Sequence, residues 1–405
     1  MTGLEAASTP LRVWGSELSP FTLKLRALLA YAGVPYRMLP EQGSRLENYA
    51  AMGRIELAKR RRTAVRYPAL SNLDEYPLVP FVLTGSSGVL YDSSALARWL
   101  DDLHPPAPGP LVPYDPALAF TAQLIDEAFD EFGLYLVHHA RWVVSAATND
   151  AGERLAREFA RVLPPGAGGA FARRFAARQV RRLPYLFSVA PPGFAIDGVP
   201  PACTPPAVPD FPPTHRLLAH AWEAYLDGVE AVVREQPYLL GERFTLADAS
   251  ASGHLGMNLK DPTAAEIMQR RAPATMRWLG VIRDGQHVGR GGSVALSARL
   301  RGLLDAIART FVPLMIQNEA AYDAARAAGE TLFNEPAFDR RRALYDGTLL
   351  GCPFRAVVKT FQVRVWRELR RAWALLDERA RLSLLHVMPP SDPFGSAPRP
   401  ANGAH

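Results

Sequence analysis

Three places in this 405-residue chain put a hydroxyl or carboxylate at the expected start of a helix: Ser19 before Pro20, Asp92 before Ser93, and Thr245 three residues before Asp248. A helix start exposes unpaired backbone N–H groups. Each such place therefore either holds an anion or is closed by its own side chain. Thr245 and Asp248 have the reciprocal spacing in which each side chain takes the other's backbone N–H, so they are read as a structural cap. For Ser19, and for Asp92 with Ser93, plain cap and anion site both stand. Ser16 supplies a second hydroxyl on the loop before Ser19.

Neither Ser16 nor Ser19 is a cysteine, so thioredoxin-like dithiol exchange has no attacking sulfur here. The two cysteines, Cys203 and Cys352, lie far apart and form no Cys-x-x-Cys pair, which also argues against a disulfide framework or a cysteine zinc site. His138 and His139 are adjacent, so on a helix they point to different sides and do not jointly ligate a metal. No metal is expected. Tyr135, His138 and Trp142 fall at i, i+3 and i+7, one face of a helix, suited either to core packing or to an aromatic-lined pocket. Lys59, Arg60, Arg61, Arg62 and Arg66 form a basic run, and residues 172–182 a basic amphipathic stretch whose plain account is a solvated helix.

These residues need elements to position them. Leu11 to Trp14 reads as a strand, followed by a helix from Ser19 with Pro20 at its first position and Phe21, Leu25, Leu28, Leu29 and Ala32 apolar. Tyr36 to Leu39 reads as a second strand, and residues 41–76 as one irregular helix with a long loop. Two apolar runs around a Gly/Ser loop at residues 84–88 read as a hairpin. A helix opening at Asp92 follows, with Leu96, Trp99, Leu100 and Leu103 on one face. That order is α/β with a small mixed sheet. The Pro-rich stretch 104–110 reads as a linker.

Beyond it helical patterns dominate, at about 116–148, 151–162, 170–182, 214–236, 245–259 and 263–283. Prolines between 183 and 213 are too dense for regular helix or central strand. After glycines at 285–292 helices are expected at about 294–329 and 354–386, and residues 389–405 read as disordered.

Composition limits the partners. A hydrophobic content of 48% is that of an ordinary globular protein and argues against disorder over most of the chain. No apolar run is long enough to span a membrane, and the first five residues carry no secretory signal. A cytoplasmic location is expected. The net charge of +6 is mild for the length and does not point to nucleic acid.

Ser19-Pro20-Phe21 after the first strand, Val79-Pro80 before the hairpin, and Asp92-Ser93 opening the next helix resemble the glutathione site of the glutathione transferase superfamily. The stretch 241–248 resembles that family's helix-capping box, and residues 272–278 the segment that closes its helical domain. Residues 19–25 also resemble the metaxin-like branch. The resemblance implies an α/β thioredoxin-like N-terminal domain (8–104), then an all-α helical domain (114–283) with a Pro-rich insertion at about 183–213. A helical C-terminal extension (284–388) and a tail (389–405) would follow.

It further implies glutathione as co-substrate and a small hydrophobic electrophile as second substrate, in a cytoplasmic homodimer. Ser19, with Ser16 as fallback, would stabilise the thiolate. Val79, before a cis Pro80, would offer its backbone to the cysteinyl part. Ser93 would bind the γ-glutamyl carboxylate, and Asp92 the γ-glutamyl ammonium. One of the basic residues at 59–66 would hold the glycyl carboxylate, and Tyr135, His138 and Trp142 would border the second-substrate pocket. Lowering a thiol pKa from about 8.5 to 6.5 corresponds to roughly 2.7 kcal/mol. A hydroxyl donor to the anion gives about 1.5–3 kcal/mol and a helix start roughly 0.3–1 more, so Ser19 suffices. A non-catalytic binding or scaffold protein on the same fold is the alternative.

Overall fold

The computed structural model describes residues 10–61, 73–75, 79–85, 88–388 and 394. Strand β1 (Leu11–Trp14) leads into helix α1 (Pro20–Tyr31), and β2 (Tyr36–Leu39) into α2 (Arg45–Arg61). β3 (Phe81–Thr84) and β4 (Gly88–Leu90) precede α3 (Ser93–Leu103). The strands form one sheet in the order β2-β1-β3-β4. β1 runs parallel to β2 and antiparallel to β3, and β3 pairs antiparallel with β4. Val13, at the centre of β1, and Val82, its β3 partner, are fully buried and join Leu25, Leu28, Leu96 and Leu100 in one core. The apolar residues of α1 and α3 named above thus close one face of the sheet.

The helical part begins with α4 (Pro116–Ala128), capped by Asp115, which accepts from the N–H groups of Ala117 and Leu118. A π turn over Phe129–Gly133, then α5 (Leu134–His139), then a second π turn over Ala140–Val144 continue it without a break. Wide turns of this kind are uncommon and concentrate at functional sites. α6 (Ala151–Glu158) and α7 (Gly168–Arg181) follow. Residues 183–213 hold turns and one short 3-10 helix at Pro201–Cys203, with no α-helix or strand, as the proline density predicts. α8 (His215–Val233) and α9 (Leu246–Gly256) complete the central bundle. Thr245 and Asp248 form the reciprocal box: the Thr245 N–H donates to Asp248 Oδ2 at 2.9 Å, and both side chains are buried.

Two of the expected helices are broken before residue 330. Residues 263–283 divide at Ala272 into α10 (Pro262–Arg271) and α11 (Pro273–Arg283), because Pro273 has no N–H to continue a helix. Residues 294–329 divide at Thr310 into α12 (Arg301–Arg309) and α13 (Phe311–Ala327). α14 (Asn334–Asp339) follows.

The expectation of an all-helical extension is corrected by a hairpin of β5 (Leu344–Leu349) and β6 (Cys352–Val357). Its two-residue turn is Leu350-Gly351, both at positive φ (51° and 75°), the turn whose twist matches paired strands. Pro353 lies on β6 of this two-stranded ribbon, where a missing N–H is tolerated. The expected helix of 354–386 is instead α15 (Thr360–Ala374) and α16 (Glu378–Leu385).

Most of the tail lies outside the described residues; Phe394 is buried against Phe120, Trp366 and Trp373. No helix among the described residues is long and apolar enough to cross a membrane.

α1 packs most extensively on α9. The two helices approach at Gly253, where an added Cβ would lie 2.6 Å from the Pro20 carbonyl oxygen and 2.8 Å from the Lys24 nitrogen. The helix that begins at Ser19 is therefore set against the helical part with little tolerance.

Candidate functional site

Ser19 has extended backbone (φ −102°, ψ 121°), and its Oγ accepts from the Thr22 N–H at 3.3 Å. Its own proton is committed to no acceptor among the described residues, so the hydroxyl is left as a donor. Ser16 differs. Its Oγ accepts from the Leu18 N–H at 3.1 Å, and its hydroxyl bonds to Glu158, whose carboxyl burial pushes up and this contact pulls back. Arg141, buried on the second π turn, holds the Ser19 loop by donating to the Leu18 carbonyl at 3.2 Å, while Asp261 takes its Nε.

The Val79–Pro80 peptide is cis, as is Leu39–Pro40, which the sequence pattern did not suggest. Asp92 stands at φ 75°, ψ 98°. That region is strained for any residue with a Cβ, and such residues cluster at functional sites. Its Oδ1 caps α3 by accepting from the Ala95 N–H at 3.2 Å. Ser93, the first residue of α3, is buried.

Ser16, Ser19, Val79, Pro80, Asp92 and Ser93 line one cavity of about 420 Å³, a volume in the range of small-molecule pockets. Tyr135, His138 and Trp142 line the same cavity from the helical side. Thr245 and Asp248 stand apart from it, in the core. Of the basic candidates, Lys59 and Arg60 are not among the lining residues, and Lys59 pairs with Glu56 at 3.0 Å. The Arg61 side chain, Arg62 and Arg66 lie outside the described residues.

Asp92 already has a partner within the protein: its Oδ2 accepts from Arg364 at 2.9 Å, and the same guanidinium reaches Asp74 at 2.5 Å. Arg364 belongs to α15, so the C-terminal extension reaches the cavity rim. Lys359, just before α15, also lines the cavity. It donates to the Tyr135 hydroxyl at 2.5 Å. Gln362 donates to the same oxygen at 2.7 Å. The aromatic face is therefore not purely apolar.

Burial pulls Lys359 down to about 8 against the attraction of Glu75 and Glu131. Burial pushes Glu131 up to about 8, reinforced by Glu75 and Asp130. His138 is pushed down to about 3 by burial and by Arg141, and stays neutral. Its Nδ1 faces the Leu134 carbonyl at 3.0 Å and so carries the proton.

A buried ion network joins α1, α3 and α4 beside the cavity, which its members Ser94 and Asp130 line. Lys24 of α1, with no exposed surface, meets Asp126 at 2.5 Å, Asp130 at 2.7 Å and Ser94 Oγ at 2.8 Å. Burial alone would lower the Lys24 pKa, and the two carboxylates more than reverse this. Burial pushes Asp126 up to about 6 and Glu127 well above the usual carboxylate range. The Ser250 hydroxyl donates to Asp130 at 2.7 Å, and His254 Nδ1 lies 3.7 Å from it. This network escapes a pattern search, although a lysine on the apolar face of α1 and two aspartates at i, i+4 are its trace in the sequence.

Residues 18–103 match the model of the glutathione S-transferase N-terminal domain family. Similar solved structures include a glutathione S-transferase of Ceriporiopsis subvermispora in complex with glutathione, at 17% identity and a TM-score of 0.42, covering 69% of this chain and 99% of that one. Another is a glutathione S-transferase from Methylobacterium radiotolerans with glutathione sulfonate, at 17% identity and 0.37, covering 71% and 99%. A β-etherase from Sphingobium sp. strain SYK-6 is similar at 14% identity and 0.39, covering 69% and 99%. Among curated proteins none is significantly similar in sequence.

Proposed function

We propose that this chain, whose residues 18–103 match the glutathione S-transferase N-terminal domain model, belongs to the glutathione transferase superfamily, binds glutathione and transfers it to a hydrophobic electrophile through a thiolate stabilised by Ser19. The observation that carries this reading is convergence. A serine hydroxyl with a free proton, a cis X–Pro turn, a strained Asp92 and the start of α3 line one cavity, although they are spread over more than 70 residues of sequence. Ser19 has the polarity a thiolate needs, since its oxygen is occupied as an acceptor and its proton remains to be given. Ser93 and the first turn of α3 suit a carboxylate. Leu18, Phe21, Leu134, Trp142 and Phe175 supply apolar wall for the second substrate. The family reading carries with it a cytoplasmic homodimer.

Arg364 favours a second reading. By engaging Asp92 it competes for the carboxylate that the first reading gives to the γ-glutamyl ammonium, as expected of a binding or scaffold protein that no longer turns over. Substitution separates the two. Ser19→Ala should lower turnover of an aryl halide about 10- to 100-fold, the ~1.5–3 kcal/mol of a hydrogen bond to a charged group. Ser19→Thr, which keeps hydroxyl and cap, should retain most of it. Unchanged turnover in Ser19→Ala and in Ser16→Ala would remove the serine mechanism. Absence of turnover in the unaltered chain would leave the second reading.

A further inference from the structure

Lys24, Lys59, Lys260 and Lys359 are the only lysines of the chain, and they sit in different surroundings. Lys24 is locked between Asp126 and Asp130, Lys59 pairs with Glu56, and the Lys260 side chain is 64% exposed. Lys359 is the one that lines the cavity, and it keeps 7% of its surface. Its Nζ stands 4.3 Å from the centre of the Tyr135 ring and 4.4 Å from that of Tyr185, both buried. One N–H donates to the Tyr135 hydroxyl at 2.5 Å. The other two meet no acceptor among the described residues.

The backbone beneath this amine is fixed. The Asn318 side chain accepts from the Lys359 N–H at 2.9 Å and donates to the Lys359 carbonyl at 2.9 Å. Asn334 clasps Thr360 through its N–H and its hydroxyl, each at 2.9 Å. The start of α15 is thus pinned by two asparagines.

We propose that Lys359 is a covalent site for aldehydes: its amine condenses with the carbonyl of an apolar aldehyde that enters the cavity, and the two tyrosine rings hold the protonated imine that results. Leu134, Trp142, Phe175 and Phe361 supply apolar wall for the body of the aldehyde. A cation over two aromatic faces is stabilised whether it is an ammonium or an iminium. Desolvation is the general means by which a lysine becomes a nucleophile for carbonyl groups.

The charges that face Lys359 are Glu75 and Glu131, which line the same cavity, and Arg182 and Glu335. Burial brings Lys359 down to about 8. About a tenth of it is then free amine at pH 7, roughly 200-fold more than for a lysine near 10.4. Burial and Glu75 hold Glu131 at about 8, so at neutral pH it carries a proton to give.

The step balances within these groups. The amine pair bonds to the carbonyl carbon, and the carbonyl π pair goes to oxygen. One nitrogen proton passes to that oxygen, and Glu131 supplies a second. The C–O bond breaks, water leaves, and the nitrogen pair closes the C=N bond. A protonated imine then stands beside the Glu131 carboxylate, with nothing oxidised or reduced. No glutathione takes part, so the site stands or falls apart from the thiolate reading.

The test traps the imine in the full chain. Benzaldehyde is added with cyanoborohydride, whose hydride fixes the imine as a benzylamine, and the rate at each lysine is read by peptide mass spectrometry. Lys359 should label at least about 10-fold faster than the exposed Lys260, and this preference should vanish in urea, where all four lysines are alike. Glu131→Gln, which keeps shape but has no acid proton, should slow Lys359 labelling at least about 10-fold and leave Lys260 unchanged. Lys359 labelled no faster than Lys260, or a preference for it that survives unfolding, would overturn the inference. An unchanged rate in Glu131→Gln would overturn the assignment of that residue as proton donor.

Discussion

Lys24→Met should destabilise the folded chain by about 3–5 kcal/mol, the cost of leaving buried carboxylates without their counter-ion. Lys24 is fully buried between Asp126 and Asp130, with Glu127 beside them. Methionine fills a similar volume, so the loss reports charge rather than a cavity. The pH dependence identifies the cause. Folded-state pKa values of Asp126 and Glu127 are already raised. A carboxyl raised above its unfolded value contributes stability that is present at low pH and lost as pH rises through the folded value. Removing Lys24 raises these groups further.

The gap between the two proteins should therefore be widest near pH 8 and narrow toward pH 5, because protonated carboxyl groups need no counter-ion. Urea unfolding at several pH values measures this. A gap independent of pH would assign the loss to packing. Asp126→Asn placed on Lys24→Met should recover part of the deficit.

Gly253→Val should be of similar size, about 3 kcal/mol, the upper end for forcing bulk into a packed interior. The added Cβ alone would meet the Pro20 carbonyl oxygen, the Lys24 nitrogen and the Lys24 Cβ at 2.6–2.9 Å, and backbone cannot swing aside as a flexible side chain can. Relief requires α1 to move off α9. Ser19 caps that helix and moves with it, and a displacement near 1 Å at a reacting group costs roughly 100-fold in rate. Stability by urea unfolding and turnover under conditions where the variant is folded should fall together. A variant as stable and as active as its parent would show that the α1–α9 contact does not position the site.

The α/β order of the first hundred residues was legible because strand and helix periods, Pro20 and the caps at Ser19 and Asp92 are local signals. The capping box at Thr245 was legible for the same reason. What escaped is long-range. Arg364 meets Asp92, and Lys359 meets Tyr135, across more than 220 residues of sequence, and no pattern along the chain encodes which side chains a later helix will bring to an earlier loop. The β5–β6 hairpin escaped because the helix expected from about residue 354 covered most of β6, and Leu350, which takes positive φ in its turn, is not a usual turn residue. In the sequence Lys24 is one polar residue on an apolar helix face, and only the fold brings Asp126 and Asp130 against it.

Calorimetric titration of glutathione into the full chain tests the central claim most directly. Convergence of Ser19, Val79-Pro80 and Asp92-Ser93 on one tripeptide predicts saturable heat with one site per chain, largely lost in Ser93→Ala combined with Ser19→Ala. It also predicts thermal stabilisation, about 2.7 kcal/mol when glutathione is at 100 times its Kd. No heat, together with an unchanged melting temperature at millimolar glutathione, would contradict the account and leave the cavity to another ligand.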